Sequence, residues 1–273
     1  SISGYVYADD NDNGVRNTGE SPIAGVTLEL LDAAGNSLGI TTTTNASGFY
    51  KFDNLRQGTY GVAEVQPTGY FDGRDAAGSA GGSALNPGDR ITGAVLTPNL
   101  DAVNYNFGEL RPGSLSGHVY VDNNDNGNFD GGESPIAGVT LQLLDAAGNA
   151  TGITTTTDAN GFYRFDNLAP GTYGVAELQP SGYYDGKDAA GSAGGTAQNP
   201  GDRIIGALIA AGVNAVDYDF GELLPGSISG RVHSDRDGDC EFTEGDTPIE
   251  GVTLHLLDAA GNRIATTQTD ADG

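Results

Sequence analysis

Twelve residues directly after the first strand-like stretch carry the densest chemistry in the chain: Asp9-Asp10-Asn11-Asp12-Asn13-Gly14-Val15-Arg16-Asn17-Thr18-Gly19-Glu20. They fit the calcium-loop pattern D-x-[DN]-x-[DN]-G-x5-E without a mismatch. Asp9, Asn11 and Asn13, at positions one, three and five, are short oxygen donors that can converge on one point. Gly14 at six permits the sharp turn, Val15 at seven lends its carbonyl, Asn17 stands at nine, and Glu20 at twelve closes the shell. A second loop repeats the pattern with Asp122, Asn124, Asn126, Asn128, Asp130 and Glu133 around Gly127. Asp, Asn and Gly also dominate turns that bind nothing, but two full matches at one fixed spacing favour a calcium ion (Ca2+).

A third loop departs from the pattern. Asp235, Asp237 and Asp239 keep positions one, three and five, Glu241 stands at seven and Asp246 at twelve, but Cys240 replaces the glycine at six. Cys240 then needs either a strained left-handed backbone, which a side chain tolerates poorly, or a modified turn. The shorter Asp246 makes bidentate closure less secure than Glu20 does. As the only cysteine, Cys240 can form no internal disulfide; it is either an unpaired thiol or a partner for another chain. The three loops hold 14 of the 37 acidic residues in 36 of 273 positions, a concentration that solubility alone would not require.

A second acidic group, Asp72, Asp75 and Asp89, recurs as Asp185, Asp188 and Asp202. The residue before the middle carboxylate alternates between Arg74 and Lys187, which fits either a second cation site or Asp-Gly turns with a local ion pair. Glu64 and Glu177 are in phase with inward-facing Val62 and Val175, so each needs a cation or hydrogen-bond donors. No histidine recurs at a repeated position and no nucleophile stands beside a base, so catalysis is not expected.

These residues sit on a repeat with an offset of 113: Ser3-Gly4-Tyr5-Val6-Tyr7 meets Ser116-Gly117-His118-Val119-Tyr120 and Ser229-Gly230-Arg231-Val232-His233. The repeats are 1–113, 114–226 and a shortened 227–273. Apolar alternation with period two predicts seven strands per full repeat: one from Ile2, one over 26–31, then 37–43, 49–55, 59–65, 89–97 and 102–109. The Gly-rich stretch 69–87 reads as one long loop. The expected fold is all-β, tandem antiparallel β-sandwiches of immunoglobulin-like size, each with an EF-type calcium loop. With 12 Lys plus Arg against 37 Asp plus Glu, the net charge of -25 disfavours nucleic acid and anionic membranes as partners. No run of residues is long and apolar enough for a membrane span.

The segments SGYVYADDNDNG, SPIAGVTLELLD, GFYKFDNLRQGTYGVAEVQPTGY, GYFDGRDAAGS and VNYNFGE together resemble the SdrD B-like domain, a relative of collagen-adhesin B-type domains. The resemblance covers both full repeats and the start of the third. It implies a calcium-dependent, prealbumin-like sandwich serving as an extracellular, secreted or cell-surface stalk module of bacteria. It also implies calcium-ligand roles for Asp9, Asn11, Asn13, Asn17 and Glu20 and for their counterparts one offset on. Related domains cross-link a first-strand lysine to a last-strand asparagine, but the only lysines here are Lys51 and Lys187, neither in a first strand.

The function expected is a structural one: calcium-loaded repeats forming a rod or fibre with neighbouring repeats or further copies of the chain. The linker Arg111-Pro112-Gly113 leaves little freedom between repeats. An adhesin module binding a host or glycan ligand, or an accessory domain of a secreted enzyme, are the alternatives. The near identity of the 69–87 loop in both repeats weighs against the adhesin. Ser227–Gly273 alone holds too little core to fold independently, so its strands are expected to be completed by a longer chain or by another molecule.

Overall fold

The computed structural model describes residues 1–273 and contains strands and turns but no helix. Packing divides it into two compact units, Ser1–Leu224 and Pro225–Gly273.

Within the first unit, the first repeat has nine strands: β1 (Ile2–Ala8), β2 (Thr27–Leu31), β3 (Ser37–Thr43), β4 (Phe49–Phe52), β5 (Gly58–Glu64), β6 (Phe71–Asp72), β7 (Ser83–Leu85), β8 (Arg90–Leu96) and β9 (Phe107–Leu110). They form two sheets, β4-β1-β9-β6 and β3-β2-β5-β8-β7. Ile2, Val6 and Phe107 from one sheet pack against Leu28, Leu30, Val62 and Ile91 from the other, making a sandwich core. The second repeat copies this with β10 (Gly113–Val121), β11 (Ser134–Pro135), β12 (Thr140–Leu144), β13 (Ala150–Thr156), β14 (Phe162–Leu168), β15 (Gly171–Glu177), β16 (Tyr184–Asp185), β17 (Thr196–Ala197), β18 (Arg203–Ile209), β19 (Asn214–Ala215) and β20 (Phe220–Leu223). It has its own core around Leu115, Val119, Leu141, Val175 and Phe220.

Three expectations are corrected. The sandwich is not wholly antiparallel, because β1 runs parallel to β9 and β10 parallel to β20. The stretch 69–87 is not one loop, because β6 pairs with β9 and β7 with β8. The strand expected over 102–109 is regular only from Phe107. Upstream of it Ala102 makes a single bridge to Ile2, and Asn104 has a φ of 66° that breaks the extended run. β1 is also more deeply buried than alternation suggests: Tyr7, on the face opposite Val6, is fully buried, with the returning chain bridging to it at Pro22. Gly4 is obligatory there, since a Cβ would lie 1.7 Å from the Tyr105 carbonyl oxygen, which accepts the Tyr50 hydroxyl at 2.6 Å.

The second unit contains β21 (His233–Ser234), β22 (Thr247–Pro248), β23 (Thr253–Leu257) and β24 (Arg263–Gln268), paired two by two. Leu254 and Leu256 are 40% and 43% exposed, whereas their counterparts Leu28 and Leu30 are fully buried. The hairpin pairs only with itself, and of the opposing sheet that covers those leucines in a full repeat only the first-strand counterpart, ending in β21, is present.

Candidate metal centre

Each twelve-residue loop leaves the end of a first strand and turns back on itself. In the first, Asp9 is fully buried; its Oδ2 accepts the Gly14 N–H at 2.7 Å and its Oδ1 the Asn13 N–H at 3.2 Å. Gly14 has a φ of 73°, the left-handed turn that position six demands. Glu20 accepts the Asn17 N–H at 2.6 Å, and the Asn17 amide lies between two other predicted ligands, donating to the Val15 carbonyl at 2.8 Å and to Glu20 at 3.3 Å. In the second loop Asp122 accepts Gly127 at 2.7 Å, Glu133 closes on Asn123 and Asp130, and the Asn124 and Asn126 amides both donate to Asp130. Hydrogen bonds thus link predicted ligands within each loop, with amide N–H groups lying against their oxygens; turning such an amide over presents its oxygen instead.

The third loop follows the same course. Carboxylate oxygens of Asp235, Asp237 and Asp239 lie within 4.8 Å of one another, exposed, and Asp246 accepts the Arg236 and Thr243 N–H groups. Glu241, at position seven, donates its N–H to Asp239. Cys240 has a φ of 64°, the left-handed conformation its position requires, and its thiol is exposed and unpaired.

Inside each full repeat lies a second acidic group whose surroundings differ in kind. In the first repeat one oxygen each of Glu64, Asp89 and Glu109 lies within 4.8 Å of the others. Glu64, Asp75 and Glu109 are 7%, 6% and 0% exposed, and neither Glu64 oxygen has a hydrogen-bond partner. Asp72 Oδ1, Asp75 Oδ2, Asp89 Oδ1 and Glu109 Oε1 are likewise buried without partners. The few donors present only hold the rim: Gly88 N–H to Asp72 at 2.6 Å, Gly108 N–H to Asp75 at 3.4 Å, and the Gln66 amide to Glu109. Burial, then the neighbouring carboxylates, raise Glu64 to about 11 and Asp75 to about 8; Glu109 rises to about 8, again through burial. The second repeat carries the counterparts Glu177, Asp185, Asp188, Asp202 and Glu222, of which Glu177, Asp188 and Glu222 are buried. Both Glu177 oxygens are orphaned, and burial raises Glu177 to about 10, Asp188 to about 8 and Glu222 to about 7.

The basic residue beside each group makes its ion pair with the neighbouring loop. Arg74 is directed to the first twelve-residue loop, 3.9 Å from Asp12, and Lys187 contacts the Asp125 carbonyl at 2.6 Å and its carboxylate at 3.6 Å. The cage is left with carboxylates alone. Unpaired buried charge of this kind costs several kcal/mol unless protons or a cation neutralise it. Because every donor is a hard oxygen, the set fits calcium rather than a thiolate- or imidazole-bound metal.

The two centres adjoin. Asp9 donates its N–H to the Glu109 carbonyl at 2.8 Å, so the adjacent parallel strands β1 and β9 carry a predicted loop ligand, directly after β1, and a cage carboxylate side by side. A cleft of about 400 Å3 between them is lined by Asp12, Asp72, Gly73, Arg74, Asn86 and Pro87. Sequence reasoning did not assign Glu109, Glu222, Asp12 or Asp125 to a site. The first pair had a signal, since Glu109 is in phase with inward-facing Phe107 and recurs one offset on as Glu222. Asp12 and Asp125, at the non-ligating fourth position of the loops, had none.

The model of the SdrD B-like domain family matches residues 1–108 and 113–222. Serine-aspartate repeat-containing protein F of Staphylococcus epidermidis is 34% identical over the whole chain, and serine-aspartate repeat-containing protein D of Staphylococcus aureus is also 34% identical over the whole chain. The chain spans 15% and 20% of the length of these two relatives. Among solved structures, a minor pilin of Streptococcus agalactiae aligns over 84% of this chain and 99% of its own, with 16% identity and a TM-score of 0.36. The B1 repeat unit of a collagen-binding surface protein of Staphylococcus aureus aligns over 80% and 97%, with 20% identity and a TM-score of 0.24.

Proposed function

The chain belongs to the SdrD B-like domain family, and from that premise we propose that it is a calcium-stabilised structural module, its repeats stacked into a stiff stalk or fibre outside the bacterial cell. The observation that carries the reading is the pair of buried carboxylate cages, above all Glu64 and Glu177 with both oxygens unpartnered. Five acidic groups held together in one repeat need protons or positive charge to neutralise them, and calcium would supply that charge. Asp9, Asn11, Asn13, Asn17 and Glu20 with the Val15 carbonyl would hold one ion. Glu64, Asp72, Asp75, Asp89 and Glu109 would hold further positive charge beside it.

Extracellular calcium modules bind with Kd on the order of 0.1–1 mM. Calcium at a hundred times its Kd adds about 2.7 kcal/mol to folding stability for each independent site. Titration calorimetry and thermal melts of the 273-residue chain test this. Calcium should give heat of binding and raise the melting temperature over that in chelator; no heat with an unchanged melting temperature defeats the proposal.

A further inference from the structure

Position eight of a calcium loop supplies no oxygen to the ion, yet in all three loops its side chain is fixed to the strand that leads into the loop. In the first repeat the Arg16 guanidinium lies 4.1 Å above the Tyr5 ring. In the second, Phe129 stands at that position; its ring centre is 5.3 Å from that of His118, the counterpart of Tyr5, and it stacks on Tyr120 at 4.7 Å. In the third, Phe242 lies under the Arg231 guanidinium at 5.0 Å, Arg231 being the counterpart of Tyr5, and packs edge-on to His233 at 5.3 Å. The first and third loops exchange the two partners: cation on the loop over aromatic on the strand in one, aromatic on the loop beneath cation on the strand in the other. Identity changes at both ends while the contact persists.

We propose that Arg16, Phe129 and Phe242 are positioning residues that pre-order their loops for calcium by clamping them to the first strand at Tyr5, His118 and Arg231. The inference rests on the calcium reading of the loops. The clamped residue lies between the position-seven carbonyl and the position-nine side chain, so fixing it fixes two ligands of the first loop, the Val15 carbonyl and Asn17. It also closes a ring from the strand through Asp9, which lowers the freedom the loop must lose when it binds. In the first repeat the clamp is held from a second side, since Arg16 donates to the Ser47 carbonyl at 3.4 Å and Tyr5 packs on Phe49 at 5.3 Å.

The exchange between repeats supplies the test. Tyr5→Arg sets two guanidinium groups against each other; adding Arg16→Phe recreates the arrangement of the third loop inside the first. Two readouts apply to the full chain: hydrogen exchange of the Gly14 to Asn17 amides in chelator, and calcium chloride titration followed at those amides by NMR. Arg16→Ala and Tyr5→Arg are expected to speed exchange and to weaken calcium binding at this loop by about two- to fivefold, leaving Asp122–Glu133 unchanged. The double variant is expected to restore both. Arg16→Ala, at a half-exposed loop position, keeps the test decisive if Tyr5→Arg disturbs the strand. Calcium binding and exchange that ignore the single variants, or a double variant no better than Tyr5→Arg, overturn the clamp. An unaltered chain that shows no calcium response at these amides overturns instead the reading on which the clamp rests.

Discussion

Arg111 Nη1 lies 2.9 Å from Asp10 Oδ1, so a residue of the linker between the first two repeats is paired with the second position of the first twelve-residue loop. Its backbone carbonyl accepts the Gly212 N–H of the second repeat at 3.0 Å. One residue therefore touches the loop on one side and the neighbouring sandwich on the other. The counterpart one offset on is Leu224, which cannot make the ion pair.

Arg111→Ala should accordingly loosen the first junction while leaving both cores intact. Nitrogen-15 relaxation of the chain reads this directly: the two repeats, which should tumble together in the unaltered chain with calcium, should show separate correlation times in the variant. An exposed ion pair is worth at most about 1 kcal/mol, so the melting temperature should barely move. If calcium orders the loop that carries Asp10, chelation of the unaltered chain should loosen the junction in the same direction. Unchanged relaxation in both experiments would confine Arg111 to local packing.

The cages predict opposite effects of one substitution in two conditions. In calcium-free protein Glu64, raised to about 11, must take up a proton to stay buried near pH 7, which Gln need not do, so in chelator Glu64→Gln should be more stable than the unaltered chain by about 1–3 kcal/mol. With calcium the same change removes a ligand and should reduce the stabilisation the ion confers. Thermal melts with and without calcium check the crossover, and Glu177→Gln should repeat it in the second repeat. Destabilisation in both conditions would mean that Glu64 acts through packing alone.

The pH dependence follows from the same groups. In calcium-free protein Glu64 is raised to about 11, Asp75 and Glu109 to about 8, and Glu222 to about 7, well above their values in an unfolded chain. The folded state then binds more protons than the unfolded state, so stability is greatest below about pH 4 for these groups and declines as pH rises through about 7–11. Saturating calcium, by holding the carboxylates ionised, should flatten the slope over that range, and calcium uptake at pH 7 should release protons. Chemical denaturation across pH in chelator and in calcium, with calorimetry in buffers of different ionisation enthalpy, measures both signs.

The loops were legible in sequence because their ligands are contiguous: a twelve-residue window holds Asp9, Asn13 and Glu20 together with the glycine that turns them. The cage was only partly legible because its members come from β5, β6, β9 and the turns beside β6 and β8, and no local spacing relates Glu64 to Glu109. Asp72, Asp75 and Asp89 were visible as a recurring group, but whether they face each other or Arg74 depends on where the 69–87 stretch folds. Its two short strands, β6 and β7, escaped notice for the same reason, since two or three residues show no period. The parallel pairing of β1 with β9 is likewise a property of chain path and not of either strand's composition.

A last prediction concerns Gly108, where the two centres meet. It pairs with Tyr7 across the parallel strands, and a Cβ there would lie 2.6 Å from the Arg74 carbonyl oxygen and 3.2 Å from Asp9 Cβ. Its N–H also donates to Asp75. Gly108→Ala should therefore force apart the loop that carries Asp9 and the segment that carries Asp72 and Asp75, costing about 1–3 kcal/mol as overpacking does. Both centres of the first repeat should lose calcium affinity together, while the second repeat, with its own Gly221 in the same setting, stays competent. Gly226→Ala, where nothing lies within 4 Å and the backbone is not left-handed, serves as the control for an added methyl group without crowding. Calorimetry that finds only one class of site weakened in Gly108→Ala would show that the two centres bind independently despite their shared backbone.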